Sequence, residues 1–374
     1  MPIPFCDYHI VAFLTEYERG KKPLDISLAQ YFKAHKSLGS KDRKQIGDAV
    51  YEMVRWKSLL EKIAPTSSLD KLQTYRSSRF QNAKKDLAFP ESMRLGISDF
   101  LFEKLKIHFG IEETRRLASV LNTQAPMTVR ANLLKTTRES LMQLWQKYPI
   151  SPCMKASAGI QFQKRFPVFS FPEFKEGLFE VQDEGSQLVA SLIRARPGET
   201  VLDFCSGAGG KTLAFAPCMN GRGQIYLHDI REEALFEAKK RLKRAGIQNA
   251  QCLPPGHPSL AKLKGKCDWV LIDVPCTGSG TFRRNPDQKW RLDAFMLERL
   301  VLEQRTIAKE AIPYLKKGGQ LVYATCSLLP EENETQVDFL LKNYPLTLVS
   351  SPLHLLPEEG GMDGFLGATF QKIE

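Results

Sequence analysis

Apolar positions in the first third of the chain recur at helical spacing. After Ser40, a candidate N-cap, Ile46, Val50, Met53, Val54 and Leu60 fall on one stripe, with Lys41, Arg43, Lys44, Arg55 and Lys57 among them. Residues 25–62 therefore read as basic amphipathic helices. Between 63 and 95 the texture turns to Pro, Ser, Arg and Lys, which predicts a loop-bearing or helical connector. The helical period resumes over 98–121, and Pro126 ends it. MTVRANL then alternates apolar and polar residues like a strand, and a helical stretch follows from Thr137 to Tyr148, so a small α/β module is expected.

From Val181 onward the pattern is a helix followed by repeated strand–helix alternation. The strands are TVLDF, QIYLHD, DWVLIDV and QLVYATC, and the helices cover 231–245, 292–312 and 331–342. Such alternation predicts an α/β fold with a parallel, doubly wound sheet. The apolar run from Gly364 to Gln371 reads as an extra strand.

Composition sets the class. The 374 residues, 43% hydrophobic and 25% charged, suit a soluble globular protein of two or three domains. Apolar runs such as Trp269 to Ile272 are too short to span a bilayer. MPIPFCDYHI has neither a basic leader nor a small-residue cleavage site, so a cytoplasmic location is expected. Eight cysteines form no CxxC pair and no zinc-like spacing, so reduced thiols and no metal are expected. The formal charge of +11 is mainly N-terminal: residues 1–150 hold 25 Lys and Arg against 16 Asp and Glu, and residues 151–374 hold 28 against 26. A basic excess of this kind favours a phosphate-rich partner, because each cation near a nucleic-acid backbone releases counterions.

The first strand of the alternating region, VLDF at 201–204, runs into CSGAGGKT at 205–212. A glycine-rich turn there exposes backbone amides at a helix N-terminus to a ligand. The turn is not a phosphate loop, which would need Gly where Cys205 stands, nor a GxGxxG dinucleotide turn, which would need Gly at Thr212. Asp229 ends the next strand, where a carboxylate either accepts ribose hydroxyls or caps the following helix. Asp273, Pro275 and Cys276 follow a buried strand, and Cys326 ends the next. With neighbouring strands about 4.8 Å apart, both thiols are expected to face one pocket.

With APMTVRANLLKTT at 125–137, VQDEGSQLVA at 181–190, DFCSGAGGKT, DVPCTGSGTFRRNPDQKW, YATCSLLPEENE at 323–334 and DGFLGATF at 363–370, the chain resembles the RsmB and Nol/Nop/Sun family of RNA cytosine-5 methyltransferases over roughly 97–374. The resemblance implies a class I methyltransferase domain over 181–374, an RRM-like module within 96–180, and a basic helical region over 1–95 similar to a shortened NusB-like leader. It also implies S-adenosylmethionine as methyl donor, held by Cys205, Ser206, Gly207, Ala208, Gly209, Gly210, Lys211, Asp229 and Asp273.

Two cysteines suit this chemistry. Carbon 5 of cytosine is a poor nucleophile until a thiolate adds at carbon 6, and a base must later remove the carbon 5 proton. Either cysteine satisfies the chemistry as nucleophile. The resemblance makes Cys326 the nucleophile and Cys276 the release residue, with Lys211 near the active site and Asp273 on the cytosine edge. Asp203 is expected to organise the glycine loop. Arg283, Arg284, Lys289 and Arg291 are expected to line the RNA path, and Trp290 either stacks on a base or packs.

The chain departs from the family pattern twice. Its loop reads Gly207-Ala208-Gly209-Gly210-Lys211 where relatives have Ala-Pro-Gly-Gly-Lys, and QCLPPGHPSL at 251–260 lacks the Asp that relatives place near the adenine amino group. The expected partner of this monomer is RNA, ribosomal first and transfer second, with no membrane involved. The alternative function is a catalytically weak RNA-binding or ribosome-assembly factor on the same fold. A nicotinamide oxidoreductase does not fit the glycine turn and gives neither cysteine a role.

Overall fold

The structure, a computed structural model, describes residues 3–20 and 22–373. Its contacts group the chain into two compact units: residues 1–124 with 281–296, and residues 125–280 with 297–374.

The first unit is helical. Its helices include Phe5–Tyr17, Leu24–Ala34, Ser40–Arg55, Lys57–Ile63, Asp99–Phe109 and Ile111–Leu121, and the predicted stripe of Ile46, Val50, Met53, Val54 and Leu60 is buried among Ile10, Phe13, Leu24 and Phe80. The connector at 63–95 is also helical, with Ser67 accepting from the Asp70 amide at 3.1 Å to start Ser68–Tyr75. Gly39 rather than Ser40 is the N-cap of Ser40–Arg55. The Asp42 carboxylate reaches back to the Gly39 amide at 2.9 Å, which satisfies a donor that no helical carbonyl reaches. Residues 281–296 complete this unit. Asp287 accepts from the Leu24 amide and from the Tyr17 hydroxyl, each at 3.2 Å.

The second unit holds two sheets. The strands β1 (Met127–Ala131), β2 (Ile150–Pro152), β3 (Gly159–Phe162) and β4 (Phe179–Val181) pair antiparallel in the order β2-β3-β1-β4. With the helices Arg138–Leu144 and Pro172–Lys175 this makes the ferredoxin-like βαββαβ arrangement expected of an RRM-like module. Trp145, Phe162 and Phe179 fill its core.

The larger sheet contains β5 (Thr200–Asp203), β6 (Gln224–His228), β7 (Ala250–Leu253), β8 (Cys267–Asp273), β9 (Leu315–Thr325), β10 (Leu346–Leu348), β11 (Leu353–Leu355) and β12 (Phe365–Lys372). The order is β10-β12-β9-β8-β5-β6-β7, with β11 also on β12. Strands β5 to β9 run parallel, and β12 enters antiparallel beside β9. This is the class I methyltransferase order. The central strands are covered on both faces, so they read as near-continuous apolar runs such as WVLI at 269–272. Truncating one of these fully buried side chains, such as Leu321, is expected to cost about 2–5 kcal/mol.

Candidate active site

The geometry begins with the sheet register. Asp273 on β8 pairs with Ala324 on β9, and the Val274 amide donates to the Ala324 carbonyl at 3.0 Å. Cys276 and Cys326 therefore leave neighbouring parallel strands within two or three residues of the same level. Their Sγ atoms are 3.3 Å apart, and the Cys326 amide donates to the Cys276 Sγ at 3.3 Å. The hydrogen bond to Cys326, burial and the nearby Cys326 charge together push the Cys276 thiol well above its ordinary range. Burial also holds the remaining core thiols protonated, with Cys153 and Cys267 pushed up to about 12 and Cys205 well up.

A crevice of about 750 Å³ opens over the carboxyl ends of β5, β6 and β8. The glycine loop forms one wall. Gly209, in the left-handed region at φ 75°, is the N-cap of the helix Gly210–Phe215, and a Cβ there would meet the Leu227 side chain at 3.2 Å. Gln182 donates to the Gly210 carbonyl at 3.2 Å and Arg241 to the Ala208 carbonyl at 2.8 Å, so both brace the loop.

Of the residues expected to hold the donor, Cys205, Ser206, Gly207, Ala208, Gly210, Lys211, Asp229 and Asp273 line this crevice. Gly209 does not, because its conformation serves the turn. Asp229 accepts from the Gly207 amide at 2.8 Å and from the Arg231 amide at 2.9 Å, so it ties strand end, loop and following helix together. Burial opposes its charge, but the Arg231 side chain and these amides hold its carboxyl below the usual range.

Lys211 is buried, and its Nζ donates to Asp273 at 2.5 Å. Burial works against its charge, but Asp273 and Cys326 outweigh that, so its pKa lies above the ordinary lysine value. Asp203 accepts from the Thr212 hydroxyl at 2.6 Å, as expected of an organiser of the loop. Burial pushes its carboxyl up to about 7 against that hydrogen bond, and its Oδ1 has no protein partner.

The residues fit S-adenosylmethionine. Asp229 and Asp273 line the crevice with carboxylates suited to a sulfonium cation and to amino and hydroxyl donors, and the buried Ser206 Oγ and Asp203 Oδ1 lack protein partners. No acid from 251–260 lines the crevice. The crevice is also lined by Glu303 and Glu310 of the helix Ala294–Ala311, with Ile230 and Ile307. Sequence reasoning missed Gln182, Arg241 and these two glutamates. The first lay in a recognised motif without an assigned role, and the others carry no signal apart from helical position.

The basic segment after Cys276 needs correction. Arg283 and Lys289 are 1% and 0% exposed, which leaves no surface for a phosphate. Arg55 donates to the Arg283 carbonyl at 2.8 Å, and Lys289 donates to Asn122 Oδ1 at 2.5 Å, both inside the helical unit. Burial, with Arg55 nearby, holds the Lys289 amine well below the usual lysine range. Trp290 packs against the helical core and donates its indole N–H to the Val54 carbonyl at 2.6 Å. Arg291 is exposed but tied to Asp287, the Tyr17 hydroxyl and the Lys22 carbonyl. Arg284 is half-buried.

No described helix is long and apolar enough to cross a membrane, and no group of three or more His, Cys, Asp or Glu among the described residues is placed to hold a metal.

Residues 190–371 match the family model described as 16S rRNA methyltransferase RsmB/F, and residues 97–169 match the RsmF/B-like ferredoxin-like domain. The chain is 31% identical over 344 residues to a probable ribosomal RNA small subunit methyltransferase B of Synechocystis sp., covering 84% of this chain and 76% of that one. It is 33% identical over 274 residues to ribosomal RNA small subunit methyltransferase B of Photorhabdus laumondii, covering 70% of this chain and 63% of the relative. The crystal structure of a methyltransferase homolog protein from Pyrococcus horikoshii, 28% identical, superposes with a TM-score of 0.65 over 75% of this chain and 97% of its own. The paired cysteines, the glycine loop and these matches agree: the chain belongs to the RsmB/F family of S-adenosylmethionine-dependent methyltransferases.

Proposed function

We propose that the protein transfers a methyl group from S-adenosylmethionine to carbon 5 of a cytosine in ribosomal RNA, through a covalent adduct between Cys326 and carbon 6. The observation that carries this reading is the 3.3 Å approach of Cys276 and Cys326 at adjoining strand ends beside the donor crevice. The names of the relatives support the substrate. They include the small-subunit enzymes above and a 28S rRNA (cytosine-C(5))-methyltransferase of Mus musculus, 31% identical over 80% of this chain and 41% of that protein.

In this reading the Cys326 thiolate forms a bond to carbon 6, and the carbon 5–carbon 6 π pair makes carbon 5 nucleophilic. S-adenosylmethionine supplies an electrophilic methyl group held beside carbon 5. The Lys211 cation favours the Cys326 thiolate, with the Cys276 sulfur 3.3 Å away, and Asp273 meets the ring at its nitrogen 3 edge. Bonding of Cys326 to carbon removes the neighbouring sulfur charge, one of the causes that raise the Cys276 thiol. Cys276 then loses its proton to solvent and takes the one on carbon 5. The double bond re-forms, and the Cys326–carbon 6 bond breaks with its pair returning to sulfur.

The target base must leave any stack to reach these thiols, so a splayed-out cytosine is the substrate. Arg284 and the exposed lysines of the helical unit are the cations proposed to meet RNA phosphates. The test is transfer of labelled methyl from S-adenosylmethionine to unmodified ribosomal RNA, followed by nucleoside analysis. Label in 5-methylcytidine supports the reading; label in any other nucleoside, or in none, overturns it.

A further inference from the structure

The loop that carries Cys276 is held by a buried polar clamp that none of the catalytic roles above uses. Glu332 is 0% exposed, and Oε1 accepts from the Thr277 amide at 2.9 Å while Oε2 accepts from the Thr277 hydroxyl at 2.5 Å. Gln304, 1% exposed, donates Nε2 to the Pro275 carbonyl at 3.0 Å and to Glu332 Oε1 at 3.0 Å. The peptide units on both sides of Cys276 are therefore gripped, one by each side chain.

Each member of the clamp is itself fixed. Gln336 donates to Gln304 Oε1 at 2.8 Å, and the Tyr323 hydroxyl donates to the Glu332 carbonyl at 2.7 Å. Cys326 has further contacts of its own: the Gly280 amide donates to its carbonyl at 2.9 Å, and Asn333 donates to the Ser327 carbonyl at 2.9 Å, while the clamp touches this side through the Ser327 hydroxyl, 3.3 Å from that of Thr277. A carboxylate buried this deeply costs stability unless it is fully hydrogen-bonded, and all of these bonds converge on one short loop.

We propose that Glu332 and Gln304 are positioning residues for the release step, setting the Cys276 thiol against carbon 5 without touching substrate or cofactor. This rests on the covalent reading above. Cys326 keeps its Gly280 contact and Ser327 its Asn333 contact when the clamp is loosened, whereas Cys276 loses the grip on both flanking peptides, so Cys276 is displaced more than Cys326. A misplacement of about 1 Å slows a proton transfer by about a hundredfold. The covalent RNA adduct then persists instead of turning over.

The experiment expresses full-length Glu332→Ala, Glu332→Gln, Gln304→Ala and Thr277→Val in cells beside wild type and Cys276→Ala. It measures the nuclease-sensitive, slow-migrating fraction on denaturing gels, with thermal melting as a check on folding. The expected result is at least a tenfold rise in adduct for Glu332→Ala and Gln304→Ala, abolished when Cys326→Ala is added. Glu332→Gln keeps an acceptor for the Thr277 amide and should return the adduct to within a few-fold of wild type. A merely structural role lowers melting and adduct together. If Glu332→Ala does not fold, Gln304→Ala and Thr277→Val carry the test. Adduct in Cys276→Ala with none above wild type in folded clamp variants overturns the clamp alone. No adduct even in Cys276→Ala overturns the covalent reading beneath it.

Discussion

Lys211 donates to Asp273 across the mouth of the donor crevice, joining the helix that follows the glycine loop to the end of the strand that leads to Cys276. The pair sets a buried cation beside Cys326 and a half-exposed carboxylate toward the crevice. Lys211→Met keeps the length of the side chain and removes the charge. Adduct formation in a single turnover should fall by about a hundredfold or more, because a preorganised charge at the reacting centre has no replacement in water-poor surroundings. The fold should persist, since Asp273 retains access to water. A rate within twofold of wild type would remove Lys211 from the chemistry.

Asp203 gives stability a specific pH dependence. Its carboxyl is raised from the ordinary 3.8 to about 7 by burial. Below about pH 4 both folded and unfolded states are protonated at this site. As pH rises toward 7 the unfolded chain loses the proton first, so the folded state is progressively penalised, and the loss levels off above about 7. Asp203→Asn keeps an acceptor for Thr212 and removes this penalty. Its advantage in urea unfolding should be small near pH 4.5 and grow to at most about 4 kcal/mol near pH 7.5. A difference that does not change with pH would contradict the burial argument.

Lys289 tests the corrected placement of the basic segment. A lysine on the RNA path releases about one counterion when it binds, so its removal lowers the salt dependence of affinity by about one. Lys289 is instead enclosed beside Asn122 and Trp290. Lys289→Met should leave the slope of log affinity against log salt unchanged, measured by filter binding with ribosomal RNA. A drop of about one would return Lys289 to the RNA surface.

Much of the larger sheet was legible because parallel strands covered on both faces announce themselves as apolar runs. VLDF, QIYLHD, DWVLIDV and QLVYATC all became strands at the expected places, and Gly364–Gln371 became β12 with a one-residue shift. The strands β2, β3, β4, β7, β10 and β11 were missed: each spans three or four residues, too few for a period to show, and each is stabilised by partners distant in sequence. The candidate thiols and the glycine loop were legible because their chemistry is carried by residue type at a strand end.

Arg283 and Lys289 were misread for the opposite reason. Charge in a sequence normally marks a solvated face, and only the tertiary partners, the helix bearing Arg55 and the Asn122 side chain, reveal their burial. Glu332 and Gln304 likewise carry no local signal, since their meaning lies in the peptide groups of Pro275 and Thr277 that they reach.

The proposed chemistry stands or falls on Cys326 making the bond to RNA and Cys276 breaking it. Expressing Cys276→Ala and Cys326→Ala in cells and probing each for a nuclease-sensitive, slow-migrating species tests this division of labour whatever the target nucleotide is. A stable adduct in Cys276→Ala and none in Cys326→Ala is the expected result. An adduct only in Cys326→Ala, or none in either folded variant, would contradict it.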